Sequence, residues 1–184
     1  MPDVFVFPGG RLDLADRQFR IDAPELEAAG GGSARMLRAL ALTAVRETFE
    51  ETGLLIGRAP TASTTAPSPS WQAFLDTGQV PAIEKLTYIY RAITPPKLSM
   101  RFHARFFMAD AAHATGALAG SGELLDLAWY PLADTLKLPI ADITETLLRD
   151  LPHLLEGPRR PVPLFCAKRG RTMVVGGTLR GTPV

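Results

Sequence analysis

One cysteine, Cys166, stands in 184 residues. An internal disulfide is therefore excluded, and a cysteine-based zinc site with it. Such a chain suits a reducing, cytosolic compartment. No apolar run approaches the roughly 18 residues that a membrane-spanning helix needs. The opening Met-Pro-Asp-Val-Phe-Val-Phe carries neither the basic region nor the cleavage pattern of a signal peptide. Charge of one sign is lacking too. Twenty Lys and Arg against 19 Asp and Glu leave a net charge of +1, so no global field points to nucleic acid or to an anionic membrane. No segment repeats. What remains is an ordinary globular composition, 46% hydrophobic and 21% charged, in a chain long enough to bury a sizeable core. No internal linker divides it, so a single domain over residues 1–184 is expected.

Patterning assigns a mixture of strands and helices. Val4 to Phe7 is a β-branched and aromatic run stopped by Pro8-Gly9-Gly10. Residues 11 to 35 read as a polar, glycine-dotted loop with a helical turn near Pro24 to Ala29. Met36 to Thr52 has no Gly or Pro, is rich in Ala, Leu, Arg and Glu, and is closed by Gly53, the signal of a long helix. Residues 61 to 70 form an exposed loop, and Trp71 to Asp76 a short helix. Strands are expected over Leu86 to Ile93, Met100 to Met108 and Leu124 to Tyr130, and Pro131 opens a short helix. Ile140 to Leu155 repeats Ile143, Leu147, Leu148 and Leu151 at helical spacing. Pro161 to Leu179 reads as two strands around 168–171. Elements mixed in this way, without strict alternation, give an α/β or α+β class with helices packed on a mixed sheet.

The segment Arg46-Glu47-Thr48-Phe49-Glu50-Glu51-Thr52-Gly53 is the one that suggests chemistry. At 100° per residue, with Arg46 at zero, Glu50 falls at about 40°, Glu47 at about 100° and Glu51 at about 140°. Leu42, Val45 and Phe49 fall nearly opposite, at about 260° to 320°. One face can therefore pack on a sheet while the other gathers three carboxylates. A Glu-Glu pair alone reads as a solvated face. Three carboxylates together repel unless a cation sits among them. Arg46 is one such partner. A hard divalent ion that also bridges to phosphate is another.

Phe7-Pro8-Gly9-Gly10, Arg46-Glu47, Glu50-Glu51, Gly53 and Leu54 together resemble the signature of the Nudix hydrolases, G-x5-E-x7-R-E-U-x-E-E-x-G-U, with U a bulky apolar residue and F-P-G-G before it. Thr48 stands where the family usually has that apolar residue. Gly10 and Arg46 are 36 positions apart, so a long insertion interrupts the motif. Counting back eight from Arg46, where the family has its first glutamate, gives Arg38. Asp13, Asp16, Glu25 and Glu27 are candidates to replace it. The insertion, and Ile93-Thr94-Pro95 followed by Arg101-Phe102-His103-Ala104-Arg105-Phe106-Phe107, are similar to the branch that includes the peroxisomal CoA diphosphatases. Ala92 and His103 depart from that branch.

The resemblance implies a Nudix fold, a mixed sheet sandwiched between helices. Only six residues precede Phe7, where the family has its first strands, so a start at an internal methionine, or a fragment, is expected. It implies a Mg²⁺- or Mn²⁺-dependent diphosphatase of a nucleotide-type small molecule. Glu47, Glu50, Glu51 and the Gly10 carbonyl would hold the metal, and Arg46 would orient a catalytic carboxylate. Glu47, Glu123 and His103 are the general-base candidates. Arg101 and Arg105, four apart on a strand, share a face and suit phosphate; a solvent-facing pair is the plainer reading. CoA or an acyl-CoA is the leading substrate. ADP-ribose, NADH or a nucleoside triphosphate, or a module that binds nucleotide without cutting it, are the alternatives. A homodimer is a family-level expectation. Trp71 and Trp129 read as packing residues, Cys166 as a small buried apolar residue, and His113 and His153 as surface residues.

Overall fold

The computed structural model describes residues 4–23, 33–94, 102–119, 122–156, 161–168 and 171–176. Its elements are α1 (Leu14–Gln18), α2 (Ala34–Thr52), β1 (Leu55–Arg58), α3 (Pro69–Leu75), β2 (Val80–Pro81), β3 (Leu86–Ile93), β4 (His103–Ala109), β5 (Ala114–Thr115), α4 (Leu132–Thr135), α5 (Asp142–Glu156), β6 (Leu164–Lys168) and β7 (Arg171–Val175). The class is mixed α and β, as expected. The strands form two sheets rather than one, β2-β1-β5 and β4-β3-β6-β7. The chain clusters into two compact units: residues 8–87 with 107–128, and residues 1–7 with 88–106 and 129–184.

The first unit is built on α2. Ser33 caps it by accepting from the Met36 N–H at 3.2 Å, and Gly53 ends it in the left-handed region at φ 74. A side chain at Gly53 would also run into the Ala117 carbonyl, so glycine is required there twice over. Ala41, Leu42 and Val45 are buried on one face of α2. They pack with Ala15 and Phe19, Leu55 and Ile56 of β1, Trp71 and Phe74 of α3, and Ile83. Each large side chain in this cluster contributes about 1.5–3 kcal/mol by leaving water. Phe49 and Phe74 meet edge to face at 5.3 Å. Ser68 caps α3, with Pro69 in its first turn. β1 lies between β2 and β5, antiparallel to both.

The second unit holds the parallel pair β3 and β6 and the antiparallel hairpin β6–β7. Ile89, Tyr90, Ala92 and Phe165 are buried, as are Leu147 and Leu148 of α5.

Several elements differ from the sequence-based expectation. Val4 to Phe7 is not a strand but makes a single parallel bridge, Phe5 to Ile140. The segment 11–35, expected as a loop, contains α1, which the pattern missed because five residues are too few to show a period. Its mark was a capping box: the Asp13 side chain accepts from the Asp16 N–H, and the Asp16 side chain accepts from the Asp13 N–H. Leu124 to Tyr130 is irregular rather than a strand. Asp126 has φ 56, which turns the chain out of extension, and Leu125 and Trp129 are exposed. Trp129 is thus not a packing residue. Cys166 is half-buried. β1, β2 and β5, at four, two and two residues, are too short for alternation to reveal. The turn expected near 24–29, with Glu25 and Glu27, lies outside the described residues.

Candidate active site

Glu47, Glu50 and Glu51 lie on α2 away from the buried Leu42 and Val45, as the helical spacing requires. Between those two faces sits Arg46, itself buried at 7% exposure. A buried guanidinium must satisfy five N–H groups, and every one of them has a partner. Nε donates to Asp16 Oδ1 at 2.9 Å, and Nη2 to Asp16 Oδ2 at 2.9 Å and to the Arg11 carbonyl at 3.1 Å. Nη1 donates to Glu50 Oε2 at 2.8 Å and pairs with Glu47 Oε1 at 2.9 Å. Arg46 is therefore a hub that joins Arg11 and Asp16 to two box carboxylates, with no donor left over.

Asp16 is the acid that pairs with Arg46 in place of the first glutamate of the motif. It is wholly buried. Besides Arg46 it accepts from Thr43 Oγ1 at 2.9 Å, Trp71 Nε1 at 3.0 Å and the Asp13 N–H at 3.0 Å. Burial alone would raise its pKa. The Arg46 hydrogen bonds, the Asp13 amide, the Arg46 charge and Thr43 outweigh that and hold it below the usual carboxylate value. Arg38, found by counting back from Arg46, instead donates to the Ile21 carbonyl at 2.6 Å. The available signal was the forward count. Gly10-x5-Asp16 keeps the front spacing of the motif, so the insertion follows the acid and does not precede it.

The carboxylate face opens on a cleft of about 590 Å³ lined by Gly9, Gly10, Arg11, Leu12, Asp13, Arg46, Glu47, Glu51 and Glu123. Gly9 N–H donates to Glu51 Oε2 at 2.8 Å. At Gly10 a Cβ would overlap the Glu47 carboxylate; only the bare backbone lets loop and acid meet. Burial raises the pKa of both glutamates. For Glu47 the pairing with Arg46 offsets part of this, while Glu50 and Asp16 add to it. For Glu51 the Gly9 bond offsets part, while Glu47, Glu123 and Glu50 add to it. Acids held in this state favour a cation or a proton among them. Among the described residues, no three acidic, histidine or cysteine side chains already converge as a closed ligand cage. Mg²⁺ does not need one: it keeps several waters and takes one or two carboxylates plus substrate phosphate. The bare Gly10 backbone against Glu47, with Glu51 beside it, fits such an ion.

The remaining sequence candidates fall elsewhere. Glu123 is not beside a strand but on an exposed loop, where it still lines the cleft. Arg105 and His103 are on β4 in the second unit. Arg105 donates to the His103 carbonyl at 3.1 Å. Burial, then Arg105 and Arg91, push the His103 pKa below its ordinary value. Arg101 lies outside the described residues. Trp71, read as packing alone, also serves Asp16. His113 and His153 are exposed, as expected.

No model of a known protein family and no curated protein matches the chain. Among solved structures, a crystal structure of a NUDIX hydrolase from Alicyclobacillus acidocaldarius is similar: 27% identity, TM-score 0.61, with 85% of this chain and 82% of that one covered. Taken with the two-sheet α and β architecture and the arginine-centred carboxylate face, this likeness shows the Nudix fold and supports a Nudix-type hydrolase enzyme.

Proposed function

We propose that the chain hydrolyses the diphosphate bond of a nucleoside-diphosphate-linked metabolite, with CoA or an acyl-CoA as the substrate of first choice. The observation that carries the reaction class is the Asp16–Arg46 hub. It holds Glu47 and Glu50 in place beside the bare Gly10 backbone. Glu47, Glu51 and the Gly10 carbonyl would hold Mg²⁺ or Mn²⁺, with Glu50 beside them. When bound, such an ion neutralises charge on the diphosphate oxygens and lowers the pKa of a bound water.

The chain's own groups divide the remaining work. Arg46 spends its donors on Asp16, the Arg11 carbonyl, Glu47 and Glu50, so it orients acids and does not grip substrate. Arg11 is the other cation of the cleft lining, and its guanidinium suits a non-bridging phosphate oxygen. Glu123, exposed in the same cleft, is the carboxylate best free to accept a proton from the attacking water. Arg101 and Arg105 are kept as contacts for a further phosphate of the substrate.

The CoA preference rests on the similarity of the insertion and of the 93–107 block to the CoA diphosphatase branch. ADP-ribose, NADH and nucleoside triphosphates share the chemistry and differ only beyond the diphosphate. The reading as a binding module without cleavage drew in part on the missing first glutamate. Asp16 on Arg46 speaks against that part. The test is a panel of CoA, acetyl-CoA, ADP-ribose, NADH and nucleoside triphosphates with millimolar Mg²⁺ or Mn²⁺, run on wild type and R105A. A CoA preference that R105A loses while keeping ADP-ribose cleavage supports the CoA reading. Equal loss on both counts against it.

A further inference from the structure

Oδ1 of Asp16 accepts two hydrogen bonds and Oδ2 three. Oδ1 takes Arg46 Nε at 2.9 Å and Trp71 Nε1 at 3.0 Å. Oδ2 takes Arg46 Nη2 at 2.9 Å and Thr43 Oγ1 at 2.9 Å, with the Asp13 amide behind it. A fork of two parallel N–H···O bonds keeps guanidinium and carboxylate in one plane. The donors from outside the pair therefore set the plane of both groups. Trp71 comes from α3, outside the signature. It is fully buried, with Phe19 at 4.4 Å and Phe74 at 5.7 Å against its ring, so its N–H has one fixed direction. Thr43 stands one turn before Arg46 on α2, and its hydroxyl is buried. The far side of the guanidinium holds Glu47 and Glu50.

We infer that Trp71 and Thr43 are positioning residues of the carboxylate site. Through Asp16 and Arg46 they fix where the Glu47 and Glu50 oxygens stand, so that a side chain of α3 governs metal affinity and turnover. The inference rests on the metal-dependent reading given under Proposed function. Outer hydrogen-bond partners of metal ligands commonly carry about 10- to 100-fold in affinity or activity.

The test compares wild type, Trp71→Phe, Thr43→Val and Ile83→Val, the last a packing change at a buried residue of the same core cluster that makes no hydrogen bond to Asp16. Three readouts are taken on folded protein: the ¹⁵N–¹H signal of Arg46 Nε without metal, Mn²⁺ affinity by electron paramagnetic resonance, and kcat and KM on a cleaved diphosphate. Trp71→Phe and Thr43→Val are expected to shift the Arg46 signal. They should weaken Mn²⁺ binding or lower kcat about 10-fold, with KM changed less than about twofold, while Ile83→Val alters stability alone. Thr43→Val, nearly isosteric, keeps the test valid where Trp71→Phe folds poorly. Mn²⁺ affinity and kcat of both variants equal to those of Ile83→Val would overturn the inference and leave the reaction class standing. Wild type that neither binds Mn²⁺ nor cleaves any diphosphate would overturn both. A shifted Arg46 signal in that case would confine the clamp to the fold.

Discussion

Arg46 reaches back 30 positions to Asp16 and holds both of its carboxylate oxygens at 2.9 Å. Removing the acid leaves two buried donors of Arg46 without an acceptor, and breaking a buried pair by deleting one partner costs about 3–5 kcal/mol. D16A is therefore expected to lower unfolding stability by about that much in a urea titration. R38A, which loses one bond to a loop carbonyl, is expected to cost about 1 kcal/mol. Equal losses would mean that Asp16 does not replace the first acid of the motif.

Gly10 has no room for a side chain, because a Cβ would stand within the Glu47 carboxylate. G10A must push Glu47 aside. The chain still folds, since Gly10 is itself exposed and outside the core cluster. Loss of metal-dependent activity by roughly 10- to 100-fold is expected, with the melting temperature little changed. An active G10A enzyme would remove this contact from the site.

The carboxylates give opposite pH dependences. Asp16 has a folded pKa below its ordinary value, so its contribution is present above the unfolded value and is lost as pH falls through the folded one. Glu47 and Glu51 are raised, so theirs is present below the unfolded value and is lost as pH rises through the folded one. Metal-free protein at neutral pH thus carries two disfavoured charges, which a divalent cation relieves. Mg²⁺ is expected to raise the melting temperature more at about pH 8 than at about pH 5, because protons compete with the ion for the raised carboxylates as pH falls. Thermal melts with and without Mg²⁺ check this, and the same increment at both pH values would contradict it.

Arg11 belongs to the cleft lining, and the other cation there, Arg46, has committed all its donors. R11A is expected to raise KM about 10-fold, the loss of roughly one charged hydrogen bond, with kcat changed far less. Initial rates over a substrate series separate the two parameters. An unchanged KM would exclude Arg11 from binding.

Much of this site was legible before any coordinates. The 3.6-residue period placed Glu47, Glu50 and Glu51 opposite Leu42 and Val45, and the glycine stop placed the end of α2. Both depend on local geometry. Asp16 was less legible. Its partners Arg46 and Trp71 are 30 and 55 positions away, and its helix spans five residues. Counting from Arg46 across the insertion then landed on Arg38. Counting from Gly10 would have reached Asp16. Leu124 to Tyr130 is mostly apolar, but among the described residues it pairs with no strand, Asp126 turns it out of extension, and Leu125 and Trp129 are exposed. The short strands β1, β2 and β5 exist by pairing with one another, a long-range property that no window of sequence contains.

The most direct test of the central claim is diphosphate cleavage by wild type and E51Q at millimolar Mg²⁺ or Mn²⁺, followed by ³¹P nuclear magnetic resonance. Glu51 sits in the cleft with Gly9 on one oxygen, and Gln keeps its shape while removing its charge. Metal-dependent cleavage by wild type, reduced at least about 100-fold in a folded E51Q, is the expected result. Cleavage at the same rate by E51Q, or by wild type without divalent metal, would contradict the account.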